Sequence, residues 1–406
     1  MNYSDIIKYS AYSVDFSEEA KTKPLELMMK DELVMSIDRN RNTYSVRRTD
    51  LLPWSLKGRI KDLPILSSIP TPYEISQYML AIRHNDEAFD SFLASRVLSL
   101  DRENAKKLYN AIGLPQLQDE VTKAKISLIC HAVSLQDNYW VRLEGAALNW
   151  SDINLRANSL SEVVAQIALH GSSLILTGKL TTPELTTQGT YAKAWKREQG
   201  DLWLYKKGFR GSSEARIEVM VSNILDNCNV NHLKYVAAES EGEYCCKCKC
   251  MTDENISIVS ALNLYSYCNS NSLDYYSTVE SLDPETIHKM WIVDYLISNS
   301  DRHGTNWGFF YNCDEMQILG CHPLFDHNNA FDRELMYNAD VPYLYNSDIT
   351  MRQAAHKAMQ LVDFYFYREF TREDFITDRQ FQSFSQRAKE LGIQIKPKKP
   401  EEINVF

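Results

Sequence analysis

Between Asp294 and Asp326 the chain reads DYLISNSDRHGTNWGFFYNCDEMQILGCHPLFD, and no other stretch limits its fold so strongly. Asp301 is followed five positions later by Asn306, then by an apolar run, a polar turn, a second apolar run and Asp326. Trp307 to Tyr311 and Gln317 to Cys321 are rich in aromatic and aliphatic residues, and Asn312-Cys313-Asp314-Glu315 between them is turn chemistry. The two runs are therefore expected to pair as a hairpin. Its open end would gather Asn306 and Asp326, oxygen donors suited to Mg²⁺, beside Asp301, a carboxylate able to accept the proton of an attacking hydroxyl. Three such side chains at this spacing form the pattern of a phosphoryl-transfer site. Asp283 as N-cap, Pro284 at the first helical position, and Ile287, Met290, Trp291 and Tyr295 at helical spacing predict a largely buried helix that delivers the loop. A lone D-x-x-x-x-N is ordinary turn chemistry; helix, loop, hairpin and second Asp together are not.

A chain of 406 residues is too long for one ordinary core. We divide it into 1–170, a mixed accessory module, and two further segments, 171–255 and 256–406, with the first boundary at the Gly171-Ser172-Ser173 break. The 44% hydrophobic content, with 23 Tyr and 7 Trp, supplies ample material to bury. A formal net charge of -10 argues against a general binder of nucleic acid or anionic membranes. No stretch has the length and apolarity of a membrane span, and MNYSDIIKYS lacks a basic region followed by an apolar core, so a soluble, cytoplasmic protein is expected. Nine Cys are scattered except around Cys245-Cys246-Lys247-Cys248-Lys249-Cys250. Alternation puts Cys246, Cys248 and Cys250 on one strand face, and ligands crowded into so few residues do not easily form one tetrahedron. Buried reduced thiols are expected in preference to a zinc site.

Along the first segment, Leu33 to Ile37 and Tyr44 to Val46 are expected strands around the polar turn Asp38 to Asn42. Thr71-Pro72-Tyr73-Glu74 combines a capping box with a first-position proline, and Ile75, Tyr78, Met79 and Ile82 mark the expected buried face of the helix that follows. Asp101 is the expected cap of a second helix ended by Gly113, a third runs from Val121 to Val133, and Ser161 to His170 is a short amphipathic one. Ser173 to Thr177 and Asp201 to Lys207 follow as strands. Late in the chain, Met351 to Phe370 and Asp378 to Leu391 are expected helices, the second capped by Asp378, and Lys396 to Phe406 a frayed terminus.

Alternation along Leu202, Leu204 and Lys206 points Lys206 inward, where a lysine needs an anionic partner. Glu218, on a helix expected over Ser213 to Leu225 with Ile217, Val221, Ile224 and Leu225 as its apolar stripe, is the candidate. Lys207 and Glu214 are the alternatives. A strand lysine held by a helix glutamate is how protein kinases position nucleotide phosphates. Thr186-Thr187-Gln188-Gly189-Thr190-Tyr191 is the candidate phosphate-covering loop. It carries one glycine where kinases have three, so it departs from their pattern, but backbone amides and Thr or Ser hydroxyls can still bind phosphate oxygens; an ordinary polar hairpin is the alternative. Asp326 is followed by HNNAF where kinases have Phe-Gly, and Asn328 stands in the glycine position, as the non-glycine residue that best tolerates a left-handed backbone.

In the order Lys206, Glu218, Asp301-Arg302-His303-Gly304-Thr305-Asn306 and Pro323-Leu324-Phe325-Asp326, the chain resembles the HipA-like serine/threonine kinases of bacteria. Ser134 to Trp140 with Asn149-Trp150 and Asn154 also resembles the segment that precedes the core in such proteins. The resemblance covers about the last two thirds of the chain. It implies an α+β fold, a protein-kinase-like two-lobed core with a small β-rich N-lobe (171–255) and a helical C-lobe (256–406) behind a helix-rich N-terminal module. It implies ATP and Mg²⁺ as cofactors and a protein Ser/Thr hydroxyl as acceptor, with Asp301 as catalytic base, Asn306 and Asp326 as metal ligands, and Lys206 with Glu218 on the phosphates. Thr187, Gln188, Gly189, Thr190 and His303 are the candidate nucleotide-lining residues; His303 either packs on the loop backbone or bears on Asp326. Some members act beside a DNA-binding antitoxin, which makes an antitoxin or regulatory partner a candidate, with neither membrane nor direct nucleic-acid contact expected. Two other readings stay open: a phosphoinositide-type lipid kinase, which shares D-R-H-x-x-N but would need a basic segment after Asp326, and a pseudokinase-like scaffold that binds without transfer.

Overall fold

Short apolar runs separated by polar turns open the described part of the chain, which in this computed structural model comprises residues 23–65, 70–174, 182–187, 189–209, 213–343 and 346–398. β1 (Leu25–Met29), β2 (Glu32–Asp38) and β3 (Thr43–Val46) pair antiparallel, and β4 (Tyr139–Leu143) joins the other edge of β1, giving the order β3-β2-β1-β4. The two strands expected around Asp38 to Asn42 are β2 and β3.

α1 (Pro72–Ala94) starts from Thr71 with the full capping box. Half of its expected buried face holds, since Ile82 is buried and Tyr78 packs against the core, whereas Ile75 and Met79 are 44% and 52% exposed. Further along, Ala88, Phe89 and Phe92 carry that face into the core. α2 (Ala105–Ala111) is capped at Asn104, whose φ is +64°, and not at Asp101, whose carboxylate accepts from Ser99 in the preceding turn. α3 (Glu120–Ile129) stops short of Val133, as His131 and Ala132 turn left-handed. α4 (Trp150–Ile153) is one turn, and α5 (Glu162–His170) runs from Ser161 to a left-handed Gly171. The expected strand at Ser173 to Thr177 extends outside the described residues.

The second sheet has the order β5-β6-β8-β7, from β5 (Lys193–Glu198), β6 (Asp201–Lys206), β7 (Val236–Ser240) and β8 (Glu243–Lys249). Both its faces are covered. Cys245 packs with Ala165 and Leu169 of α5, whereas Cys246 and Cys248 pack with Ala215 of α6 (Ser213–Leu225). A strand buried on two sides needs small apolar side chains on both, which accounts for the cysteine run; all nine cysteines are free thiols.

β9 (Ile256–Ser260) leads out of this sheet into α7 (Ala261–Ser270), α8 (Tyr275–Leu282) and α9 (Pro284–Leu296), which starts from Asp283 and is buried on every side from Ile287 to Leu296. The hairpin follows: β10 (Gly308–Asn312) and β11 (Ile318–Cys321) pair antiparallel, with β9 on the far side of β10. β12 (Pro342–Tyr343) and β13 (Asn346–Thr350) precede α10 (Met351–Ala358). That helix does not continue to Phe370, because Phe364, Phe366 and Phe370 leave it to build an aromatic cluster. The cluster closes on Phe384 of α11 (Asp378–Glu390), a helix capped by Thr377 and not Asp378. β14 (Tyr365–Phe366) pairs parallel with β15 (Gln394–Ile395). Lys396, expected in a frayed end, is held by Asp363 at 2.7 Å, and residues 399–406 lie outside the described residues. Among the described residues no helix is long and apolar enough to cross a membrane.

Candidate active site

Arg302 shows how the loop after α9 is held. Its side chain is wholly buried, as is that of Asp294, the one acidic residue on the buried length of α9. Its Nη2 and Nε donate to the Asp294 carboxylate at 2.9 and 3.0 Å, and Asp294 also accepts from Asn299 at 2.9 Å and from the Tyr343 hydroxyl at 2.6 Å. Burial opposes the charge on Arg302, but Asp294 more than offsets it and raises the guanidinium's pKa. The remaining Nη1 donates to the carbonyls of Asn306 at 2.9 Å and Phe325 at 3.1 Å. One side chain therefore sets the backbone next to Asn306 and just before Asp326. The sequence reading passed over it, although a loop arginine eight residues after an aspartate in an apolar helix was its signal.

Lys206 lies at the other side of the site. Its Nζ is 2.7 Å from Glu218 and 2.6 Å from Asp326. Glu218 also accepts the His327 N–H at 2.9 Å, so α6, β6 and the chain after Asp326 meet at one carboxylate. The alternatives lie elsewhere: Lys207 pairs with Glu243 at 2.5 Å, and Glu214 accepts from Ser213. Burial works against both ions of the Lys206–Asp326 pair. The two carboxylates nevertheless raise Lys206 well above the lysine range, and Lys206 with Lys193 holds Asp326 well below the carboxylate range. Asp326 has φ +63°, so the left-handed residue after the hairpin is the aspartate itself and not Asn328, as expected from sequence. Asn328 instead donates to Asp326 at 3.1 Å.

Asp301, Asn306 and Asp326 share one cavity of about 440 Å³ with Lys206 and Lys193. Asp301 accepts from Asn329 at 2.9 Å through Oδ2, and its Oδ1 is 3.8 Å from His303 Nε2. His303 turns back on its own loop, where Nδ1 meets the Thr305 N–H at 3.3 Å and hydroxyl at 2.9 Å. Asn306 is 2% exposed and donates to the Asp301 carbonyl, while its Oδ1 is buried with no hydrogen-bond partner among the described residues; the same holds for Asn328 Oδ1. A buried amide oxygen without a donor is costly. Both residues line the cavity with Asp326, and a hard divalent cation such as Mg²⁺ is the kind of group that would satisfy such oxygens.

Thr187, Gly189 and Thr190 line the same cavity, and Gln188 lies outside the described residues. The Thr187 hydroxyl is engaged within the loop, donating to the Pro183 carbonyl at 2.6 Å and accepting from Trp195 Nε1 at 2.9 Å. Tyr191 reaches across to Asn329 at 3.0 Å, linking the loop to Asp301. Lys193, absent from the sequence reading, faces Lys206 in register across β5 and β6. Gly189 has φ +111°, a conformation that favours glycine, and a Cβ there would displace the tip of the Lys193 side chain. Burial and the nearby Lys206 lower the Lys193 pKa to about 7. Alternation could have found it, since Lys193 opens a strand as Lys206 closes one.

No protein-family model matches the chain, and no curated protein matches it. Among solved structures it is similar to HipA in a complex of the Shewanella oneidensis toxin–antitoxin system HipA, HipB and its operator DNA. The identity is 14% over 91% of this chain and 98% of the other, with a TM-score of 0.48. It is also similar to the Helicobacter pylori proinflammatory kinase CtkA, at 12% identity over 49% of this chain and 89% of the other, with a TM-score of 0.36. At TM-scores below 0.5 neither likeness decides what this chain does.

Proposed function

We propose that the protein is an ATP- and Mg²⁺-dependent phosphotransferase whose acceptor is a protein Ser/Thr hydroxyl. The observation that carries the reading is the Lys206 ammonium, paired at once with Glu218 and Asp326 in the cavity that also holds Asp301 and Asn306. Asn306 and Asp326 would hold the metal ion, which when bound neutralises phosphate charge and orients the transferring group. Lys206, fixed by Glu218, supplies positive charge to the phosphates, and Lys193 supplies more. Asp301, its Oδ2 engaged by Asn329, receives the acceptor's proton on Oδ1. The hydroxyl oxygen bonds to the γ-phosphorus, the bond from that phosphorus to the bridging oxygen breaks, and ADP departs with the electron pair. Arg302 holds the backbone at Asn306 and Phe325 and so keeps the base and the ligands at fixed separation.

The test is transfer of label from γ-labelled ATP with Mg²⁺ to the protein itself or to a bacterial lysate. Asp301→Ala is expected to remove transfer by about a thousandfold while leaving the melting temperature unchanged. Label found only in a lipid extract would replace the acceptor class, and nucleotide binding without any transfer would replace the enzyme by a scaffold.

A further inference from the structure

The loop that covers the site, residues 182–187 and 189–191, is built into the amino-terminal module. Leu185 is 1% exposed and belongs to one apolar cluster with Leu98, Leu108, Ile126 and Ile167. Leu98 N–H donates to the Leu185 carbonyl at 2.7 Å, and Glu103 N–H to the Thr190 carbonyl at 2.9 Å. Between these two anchors stands Arg102, 3% exposed. Its Nη1 donates to the Thr187 carbonyl at 3.2 Å and, more weakly, to that of Glu184 at 3.5 Å, and its Nη2 donates to the Lys193 carbonyl. Burial lowers this guanidinium to about 10, so it remains charged at neutral pH.

A phosphate site must present N–H donors and turn carbonyl oxygens away, because an oxygen facing a polyanion repels it. A trans peptide sets its N–H opposite its C=O, so each carbonyl drawn toward the module leaves the following N–H directed away from it. Thr190 given to Glu103 does this for Tyr191, a residue that lines the cavity. A guanidinium is suited to the task, because its planar fork reaches several acceptors at once and a single ammonium does not.

We propose that Arg102 is a positioning residue for the nucleotide: from the amino-terminal module it clamps the carbonyls of the phosphate-covering loop, so that this module forms part of the site. The inference rests on the phosphotransfer reading for its kinetic test, and on the loop alone for a second one. In the full chain, Arg102→Gln is expected to raise the ATP KM by about tenfold with kcat changed less than about threefold, the signature of lost positioning of bound phosphates. Arg102→Lys is expected to recover part of the loss. Backbone amides of 183–191 are expected to exchange faster in Arg102→Gln without nucleotide, while those of β10 and α9 keep their protection. An unchanged KM with unchanged loop exchange overturns the proposal. So does loss of cooperative melting in both variants, because Arg102 would then serve the module's core and not the loop. A parent protein that neither binds nor turns over ATP defeats the phosphotransfer reading, and the exchange measurement still decides the clamp.

Discussion

Lys193 and Lys206 are neighbours in register on adjacent strands, yet their charges behave in opposite ways. Lys206 has two carboxylates within hydrogen-bond distance and stays protonated, whereas burial and Lys206 bring Lys193 down to about 7. A polyanion in the cavity favours the charged form of Lys193, so nucleotide binding above neutral pH is expected to take up a proton and to weaken as pH rises from about 7 to 9. Calorimetry in two buffers of different ionisation enthalpy is expected to show that uptake, and Lys193→Met to remove it. Heats that do not depend on the buffer would contradict the assignment. The same depressed pKa bears on stability. From about 7 up to the ordinary lysine value near 10.5, the unfolded chain binds the extra proton, so this residue's contribution grows as pH rises through that window and is lost as it falls. Asp294 and Arg302, both fully buried, give a sharper stability prediction. Asp294→Asn leaves a guanidinium without its counter-charge and is expected to cost about 3–5 kcal/mol, read as a shift of the urea midpoint.

At the scale of elements, the seating of the β10–β11 hairpin on β9 depends on a close approach that only glycine allows. A Cβ at Gly308 would fall 2.2 Å from the Val259 carbonyl and 2.8 Å from the Ser260 Cα, both backbone atoms that cannot step aside. Gly308→Ala is therefore expected to destabilise the β9–β10 pairing by about 1–3 kcal/mol and to lower nucleotide affinity, measured together by melting and titration. An unperturbed variant would show that the pairing is looser than the register from Gly308↔Ser260 to Asn312↔Ile256 indicates. The hairpin, α9 with its Asp283 cap, α6 and the inward Lys206 were legible in the sequence, because each is fixed by local chemistry: turn residues, caps and alternation. What was not legible depends on contacts distant in the chain. Ile75 and Met79 follow helical spacing yet stay exposed, because burial depends on which neighbours the rest of the chain brings and not on spacing alone. The run from Met351 breaks at Ala358 because aromatic packing on Phe384 outweighs helical continuation. Arg102 lies 82 or more residues from the carbonyls it holds, and no local pattern marks such a pairing.

Across the whole molecule, one apolar cluster runs from Leu25 and Phe89 through Trp291 to Leu391, so the first sheet and α1 share buried surface with the last helices. Segments that share a core unfold together. Scanning calorimetry is expected to give a single cooperative transition, and two separated transitions would contradict the shared core. The cavity itself draws on three regions: Gln136 from the amino-terminal part, Lys193 and Lys206 from the second sheet, and Asp301, Asn306 and Asp326 from the segment after α9. The central claim is that these last residues, with Lys206, form one site for a magnesium-bound nucleotide. Titration of ATP into the full chain with and without Mg²⁺ tests it most directly. Binding is expected with the metal, weakened by about tenfold or more on chelation and likewise in Asp326→Ala. Absence of binding, or binding indifferent to both metal and Asp326, would contradict it.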